Sequence, residues 1–137
     1  MEELPIKVQG IVYKVKKDGT LFVLCLKRSL QDGGFWHILT GTLEANESLT
    51  ECLVREAKEE IGVSNVKSIS KEIHRFLWEK HGVPVWVFTY AVKIDESPII
   101  LNSEHTEYKW LDLKQAIELV KFDSTKEAIE TFQSSHY

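Results

Sequence analysis

Three glutamates, Glu56, Glu59 and Glu60, stand at i, i+3 and i+4 in the stretch LVREAKEEIG, so on a helix their side chains can converge. With Leu49 at the zero of a helical wheel, Leu53, Ala57 and Cys52 fall near ~40°, ~80° and ~−60° and form an apolar stripe. Glu56 and Glu60 land near ~−20° and ~20°, in the middle of that stripe. Burying like charges without compensation costs several kcal/mol. Arg55 and Lys58 are the nearest cations, but Lys58 lies about 180° from the stripe. A divalent cation is the better partner. Clustered oxygen ligands with no His or Cys among them point to Mg²⁺, with Mn²⁺ as a substitute, rather than Zn²⁺.

Phosphate chemistry is the natural use of such a site. Upstream, Gly41 and Thr42 end an extended segment and Glu47 opens the helix. A strand, a glycine turn and a helix together present backbone N–H groups to phosphate, which makes Gly41 a candidate substrate contact. The formal net charge of −4 argues against nucleic acid as a partner, since a sequence-independent grip on a duplex needs a basic face. It allows a small phosphorylated substrate, provided divalent cations lie between the two sets of negative charge.

The elements that must position these residues follow from pattern. IKVQGIVYKV and LFVLCLKR, joined by KKDGT, read as a hairpin over residues 6 to 28. SLQDGG is a loop and FWHILTGTL is extended. A helix is predicted from Ser48 to Ile61, closed by Gly62. NVKSISKEIHRFLWEK and VPVWVFTYAVKI read as two long strands on either side of His81-Gly82, and HTEYKWLDL as a last strand. LKQAIELVKF and STKEAIETFQ read as terminal helices, with Ser124 as an N-cap. The predicted fold is α+β, an α/β/α sandwich around a mixed sheet, in one domain over residues 1–137.

The chain has 137 residues with 43% hydrophobic and 28% charged, an ordinary globular balance. No apolar run is long enough to span a bilayer, so no membrane partner is expected. MEELPIKVQG lacks a signal pattern, and Cys25 and Cys52 belong to no metal or redox motif. They read as small buried hydrophobes in a reducing compartment, and the expected location is the cytoplasm.

GTLEANESLTECLVREAKEEIGV fits the pattern G-x5-E-x7-R-E-U-x-E-E-x-G-U, where U is aliphatic, at every specified position. The chain therefore resembles the Nudix hydrolases. The resemblance implies a metal-dependent pyrophosphohydrolase with a mixed sheet, a catalytic helix and C-terminal helices. By position it implies Glu56, Glu59 and Glu60 as metal ligands, with Glu59 in the catalytic set. Glu47 would add a ligand through water or orient the site, and Arg55 would hold a glutamate in place, as a guanidinium does with two hydrogen bonds. Asn46 departs from the glycine usual before the box glutamate, but Asn tolerates left-handed backbone.

FWHILTGTLE and SEHTEYKWLDLKQAIELVKFDSTKEAIETF resemble the branch of that family that acts on dihydroneopterin triphosphate in folate biosynthesis. This implies Glu104 as a further metal ligand or base, and Thr40 and Arg28 as substrate contacts. Lys7 is a weaker candidate of the same kind. Nucleoside triphosphates and diadenosine tetraphosphate are the alternative substrates; the oligomeric state is left open. His37, His74 and His105 have no companion cluster and read as structural. Trp36 and Trp110 read as core, though either could stack on a pterin or purine. A non-catalytic nucleotide sensor on the same fold is the reading from another class. The intact acidic set counts against it.

Overall fold

The computed structural model describes residues 5 to 136. The predicted hairpin forms β1 (Ile6–Val15) and β2 (Leu21–Arg28), antiparallel with Tyr13 opposite Val23. Its turn is held by the Thr20 N–H donating to Asp18 Oδ1 at 2.9 Å. FWHILTGTL divides into β3 (Trp36–His37), paired with β2, and β4 (Leu39–Thr42), paired with β1. The catalytic-helix candidate, α1 (Leu49–Ile61), starts at a capping box. Ser48 Oγ accepts from the Glu51 N–H at 3.1 Å and Glu51 Oε1 accepts from the Ser48 N–H at 2.9 Å. Gly62, at φ 69°, ends it in the left-handed conformation that a C-cap favours. Asn46 does take positive φ, at 65°.

The stretch predicted as one long strand is broken into β5 (Val66–Ile69) and β6 (His74–Lys80). Both pair antiparallel with β7 (Val83–Ile94). Between them Ser70 interrupts the ladder: its Oγ accepts from the Ala91 N–H at 2.8 Å in place of a backbone carbonyl. His81 and Gly82, at φ 52° and 79°, form the two-residue turn from β6 to β7. After β8 (His105–Leu111) come α2 (Leu113–Leu119) and α3 (Asp123–His136). Asp112 caps α2, accepting from the Gln115 N–H at 2.8 Å. Ser124 is not an N-cap: α3 begins one residue earlier at Asp123, whose carboxylate in the first turn suits the helix dipole.

All eight strands join one mixed sheet in the order β3-β2-β1-β7-β5. β8 pairs with β2, β4 with β1 and β6 with β7. β1 and β7 run parallel, from Ile6 opposite Trp86 to Tyr13 opposite Lys93. The two-residue period of β1 sends Val8 and Val12 to one face and Gln9 and Ile11 to the other. The first face packs with Leu53, Ala57 and Ile61 of α1. The second packs with Ala116 of α2 and Ile129 and Phe132 of α3. The result is the expected α/β/α sandwich. Cys52 lies in the first core and Cys25 in the second, both free and buried, and burial pushes each thiol up to about 12. Trp110 packs against the first core and Trp36 against the second, as the core reading required. Among the described residues no helix is long and apolar enough to cross a membrane.

Candidate active site

The misplaced glutamates of α1 face the sheet where β1 begins and β4 ends. Glu56 and Glu60 are buried, at 9% and 5% exposure, while Glu59 is exposed. Lys7 on β1 and Thr40 and Gly41 on β4 line the same cleft. Arg28, at the end of β2, and Glu104, in the loop before β8, complete it. Residues more than 50 positions apart in sequence thus meet in one cleft. Glu47 does not line the cleft but stands behind Arg55.

Arg55 organises this acidic group. Its Nε and Nη2 donate to the two carboxylate oxygens of Glu47 at 2.7 and 3.0 Å, the two-pronged grip expected of a guanidinium. Its Nη1 donates to Glu56 Oε1 at 2.7 Å and to Glu59 Oε2 at 3.1 Å, and Nη2 to the Thr42 carbonyl at 3.0 Å. The hydrogen bonds from Arg55 hold the Glu47 carboxyl down to about 2, and those carboxylates raise the Arg55 guanidinium in turn.

Glu60 has no such partner. Its Oε2 is buried and unpaired among the described residues. Burial, then the neighbouring Glu104 and Glu56, push its carboxyl up to about 9. Burial also raises Glu56, against the pull of Arg55. An orphaned buried acceptor among clustered carboxylates is what a hard divalent cation satisfies, so the residues fit such an ion.

Gly41 has a different job from the one its sequence context suggested. It is not in a turn before the helix but inside β4, opposite Val8. A Cβ built there would collide with Glu56 Cγ and Cδ and come within 2.8 Å of Oε1. The glycine makes room for the buried carboxylate. Replacing it with alanine is therefore expected to displace Glu56 and cut turnover by roughly a hundredfold, the scale at which a small misplacement acts. Steady-state rates beside a melting curve check this; unchanged rates would mean that Glu56 is not in the machinery.

The histidine reading needs correction. His37 and His105 are both buried and face each other with Nε2···Nε2 at 2.9 Å. Burial lowers both, His37 to about 3, so one neutral ring donates to the other. His105 also brings a ring nitrogen within 4.8 Å of carboxylate oxygens of Glu60 and Glu104. Isolated histidines in sequence gave no sign of this, because β3 and β8 meet only through β2. Asn102 is a second missed residue. Its Oδ1 accepts from the Glu104 N–H at 3.1 Å, and its own N–H donates to the Glu60 carbonyl at 3.3 Å, tying the loop to α1.

Beyond Lys7, Arg28 and Thr40 the cleft continues into a cavity of about 280 Å³. Phe76, Trp78 and Val87 from the sheet line it, with Phe35 and Phe122, whose rings meet edge-on at 5.0 Å. Trp36 and Trp110 are not among its lining residues. The alternation of His74, Phe76 and Trp78 along β6 was the signal that could have found it.

Residues 5–132 match the family model described as the NUDIX domain. Dihydroneopterin triphosphate diphosphatase of Escherichia coli is 29% identical over 93% of this chain and 91% of that protein. The asymmetrical bis(5'-nucleosyl)-tetraphosphatase of Sus scrofa is 27% identical over 84% of this chain and 81% of its own length. An octanoyltransferase of Myxococcus xanthus is 29% identical over 79% of this chain, which spans only 31% of that relative's length. Among solved structures, a Caenorhabditis elegans Ap4A hydrolase superposes with a TM-score of 0.81 over 96% of this chain and 97% of its own, at 21% identity.

Proposed function

The chain belongs to the Nudix family and is a pyrophosphohydrolase, and from that premise we propose that it cleaves a heterocycle-linked triphosphate to a monophosphate and pyrophosphate with Mg²⁺. Dihydroneopterin triphosphate is the first substrate of this reading and a nucleoside triphosphate the second. The observation that carries it is Glu60, whose buried Oε2 has no partner among the described residues and which lies with Glu104 and Glu56 in a cleft that runs into an aromatic cavity.

Glu56, Glu60 and Glu104 would hold the cation, with Glu59 completing the set once released from Arg55. A divalent ion there would offset the phosphate charge and acidify a water. Lys7 and Arg28, at the junction of cleft and cavity, offset charge on the phosphates. Arg28 Nε is buried without a partner among the described residues, a donor available to an anion. Water attacks phosphorus, the bond to the bridging oxygen breaks, and the water's proton passes to a carboxylate, for which exposed Glu104 is the candidate. Glu47, Arg55 and Asn102 position these groups without touching substrate.

The test is a substrate panel with Mg²⁺, resolved by chromatography: dihydroneopterin triphosphate, common nucleoside triphosphates and diadenosine tetraphosphate. Preference for the pterin with pyrophosphate as product supports the reading. Preference for the dinucleoside would instead favour a dinucleoside polyphosphate as substrate, for which the tetraphosphatase relative is the argument. In the same assay Glu104→Gln is expected to lower kcat by roughly 10²-fold with little change in melting temperature, the scale of a lost general base. Equal kcat would move the proton transfer to another carboxylate.

A further inference from the structure

Three buried polar side chains lie next to one another: Gln9, Thr89 and Thr125, at 3%, 0% and 3% exposure. They come from β1, β7 and α3, and Gln9 lies opposite Thr40, which lines both the cleft and the cavity. The Thr89 hydroxyl donates to Gln9 Oε1 at 3.0 Å. In that arrangement the amide NH₂ group is turned away from Thr89. Gln9 Nε2 donates to Thr125 Oγ1 at 3.5 Å, the long limit of a hydrogen bond, so donor capacity is left over. Both Gln9 and Thr125 line the aromatic cavity. A buried amide held by a threonine lowers stability relative to an apolar residue of the same shape, unless something else uses its donors.

The cavity sets the shape of the partner. At about 280 Å³ it sits at the small end of ligand pockets, roughly 300–1,000 Å³. Phe76, Trp78, Phe35 and Phe122 give it aromatic faces suited to a flat ring system. That size suits one fused bicyclic ring. At this end the Gln9 Nε2 group offers spare donor capacity, which suits a ring edge that accepts.

We propose that Gln9, with Thr125, reads a ring carbonyl of a planar bicyclic heterocycle seated between the cavity's aromatic side chains, selecting oxo-purines or oxo-pteridines over their amino counterparts. This rests on the hydrolase reading for its substrate but extends it to a chemical class. An exocyclic amino group at the same place would set donor against donor and leave the Gln9 amide unpaired. A site built to hydrogen-bond one group rejects its mismatch strongly.

The experiment has two parts. The first is calorimetric binding of guanosine, neopterin and adenosine to the metal-free protein. Guanosine and neopterin are expected to bind at least about tenfold more tightly than adenosine. Gln9→Met, which keeps the shape and removes the amide, and Thr125→Val are each expected to erase that ratio, with melting curves showing that the variants fold. The second is kcat and KM for GTP, ITP and ATP with Mg²⁺, where the loss in Gln9→Met is expected in KM for GTP and ITP. Equal or tighter adenosine binding, an unchanged ratio in both variants, or no nucleoside binding at millimolar concentration would each overturn the proposal. If no triphosphate is hydrolysed while guanosine selectivity persists, the hydrolase reading fails and this inference stands.

Discussion

Glu60→Gln is expected to abolish most turnover while making the metal-free protein more stable at pH 8 than its parent. The two effects have one cause. Burial and then its acidic neighbours push Glu60 up to about 9, against 4.5 for an ordinary glutamate. Between those values the folded chain keeps a proton that the unfolded chain has released. The stability associated with this group is therefore full below about pH 4.5 and is lost as pH rises toward 9. Glutamine does not ionise, so the variant lacks this slope, and the difference at pH 8 amounts to a few kcal/mol. Catalysis responds in the opposite sense, because an amide cannot supply the charge that a cation requires; kcat is expected to fall about 10²–10³-fold, the scale of a lost electrostatic contact. Chemical denaturation at pH 5 and pH 8 in EDTA, beside steady-state rates, checks both. A variant as active as the parent, or destabilised at pH 8, would refute the assignment.

Arg55→Lys is the second large effect. Lysine keeps the charge but not the planar fork that joins Glu47, Glu56, Glu59 and the Thr42 carbonyl. Without it Glu47 and Glu56 lose their alignment and repel one another. Activity is expected to drop 10–100-fold, the usual result of losing a partner that orients a ligand. The melting temperature should fall, and millimolar Mg²⁺ should restore part of it by replacing the missing positive charge. The loss should appear in kcat more than in KM, because Arg55 is tied to carboxylates rather than to the aromatic cavity. A variant with normal kcat and raised KM would make Arg55 a substrate contact instead.

Much of this was written in local pattern. The stripe on α1 placed Glu56 and Glu60 on the buried face, and they are buried. The predicted helix from Ser48 to Ile61, closed by Gly62, matches α1 within one residue. Arg28, Thr40 and Glu104, candidates from the family resemblance, and the weaker candidate Lys7 line one cleft. What local pattern lacks is long-range pairing. The His37–His105 contact depends on β3 and β8 flanking β2, which no spacing reveals. The break at Ser70 needed a side-chain oxygen to replace a backbone acceptor. Gly41 looked like a phosphate turn because its neighbours in sequence are turn-like. Only its distance to Glu56 shows that it is a space-making residue. The aromatic cavity draws on β6, β7, the segment before β3 and the α2–α3 connection, and so was invisible as a unit.

The most direct measurement is a calorimetric titration of Mn²⁺ into the metal-free parent and into Glu60→Gln at pH 7.5, in two buffers of different ionisation enthalpy. The expected result is binding by the parent with proton release, since Glu60 must give up its proton to take a cation, and binding at least about tenfold weaker without proton release in the variant. Equal affinity and equal proton release in the two proteins would contradict the claim that the buried glutamate exists to hold a metal.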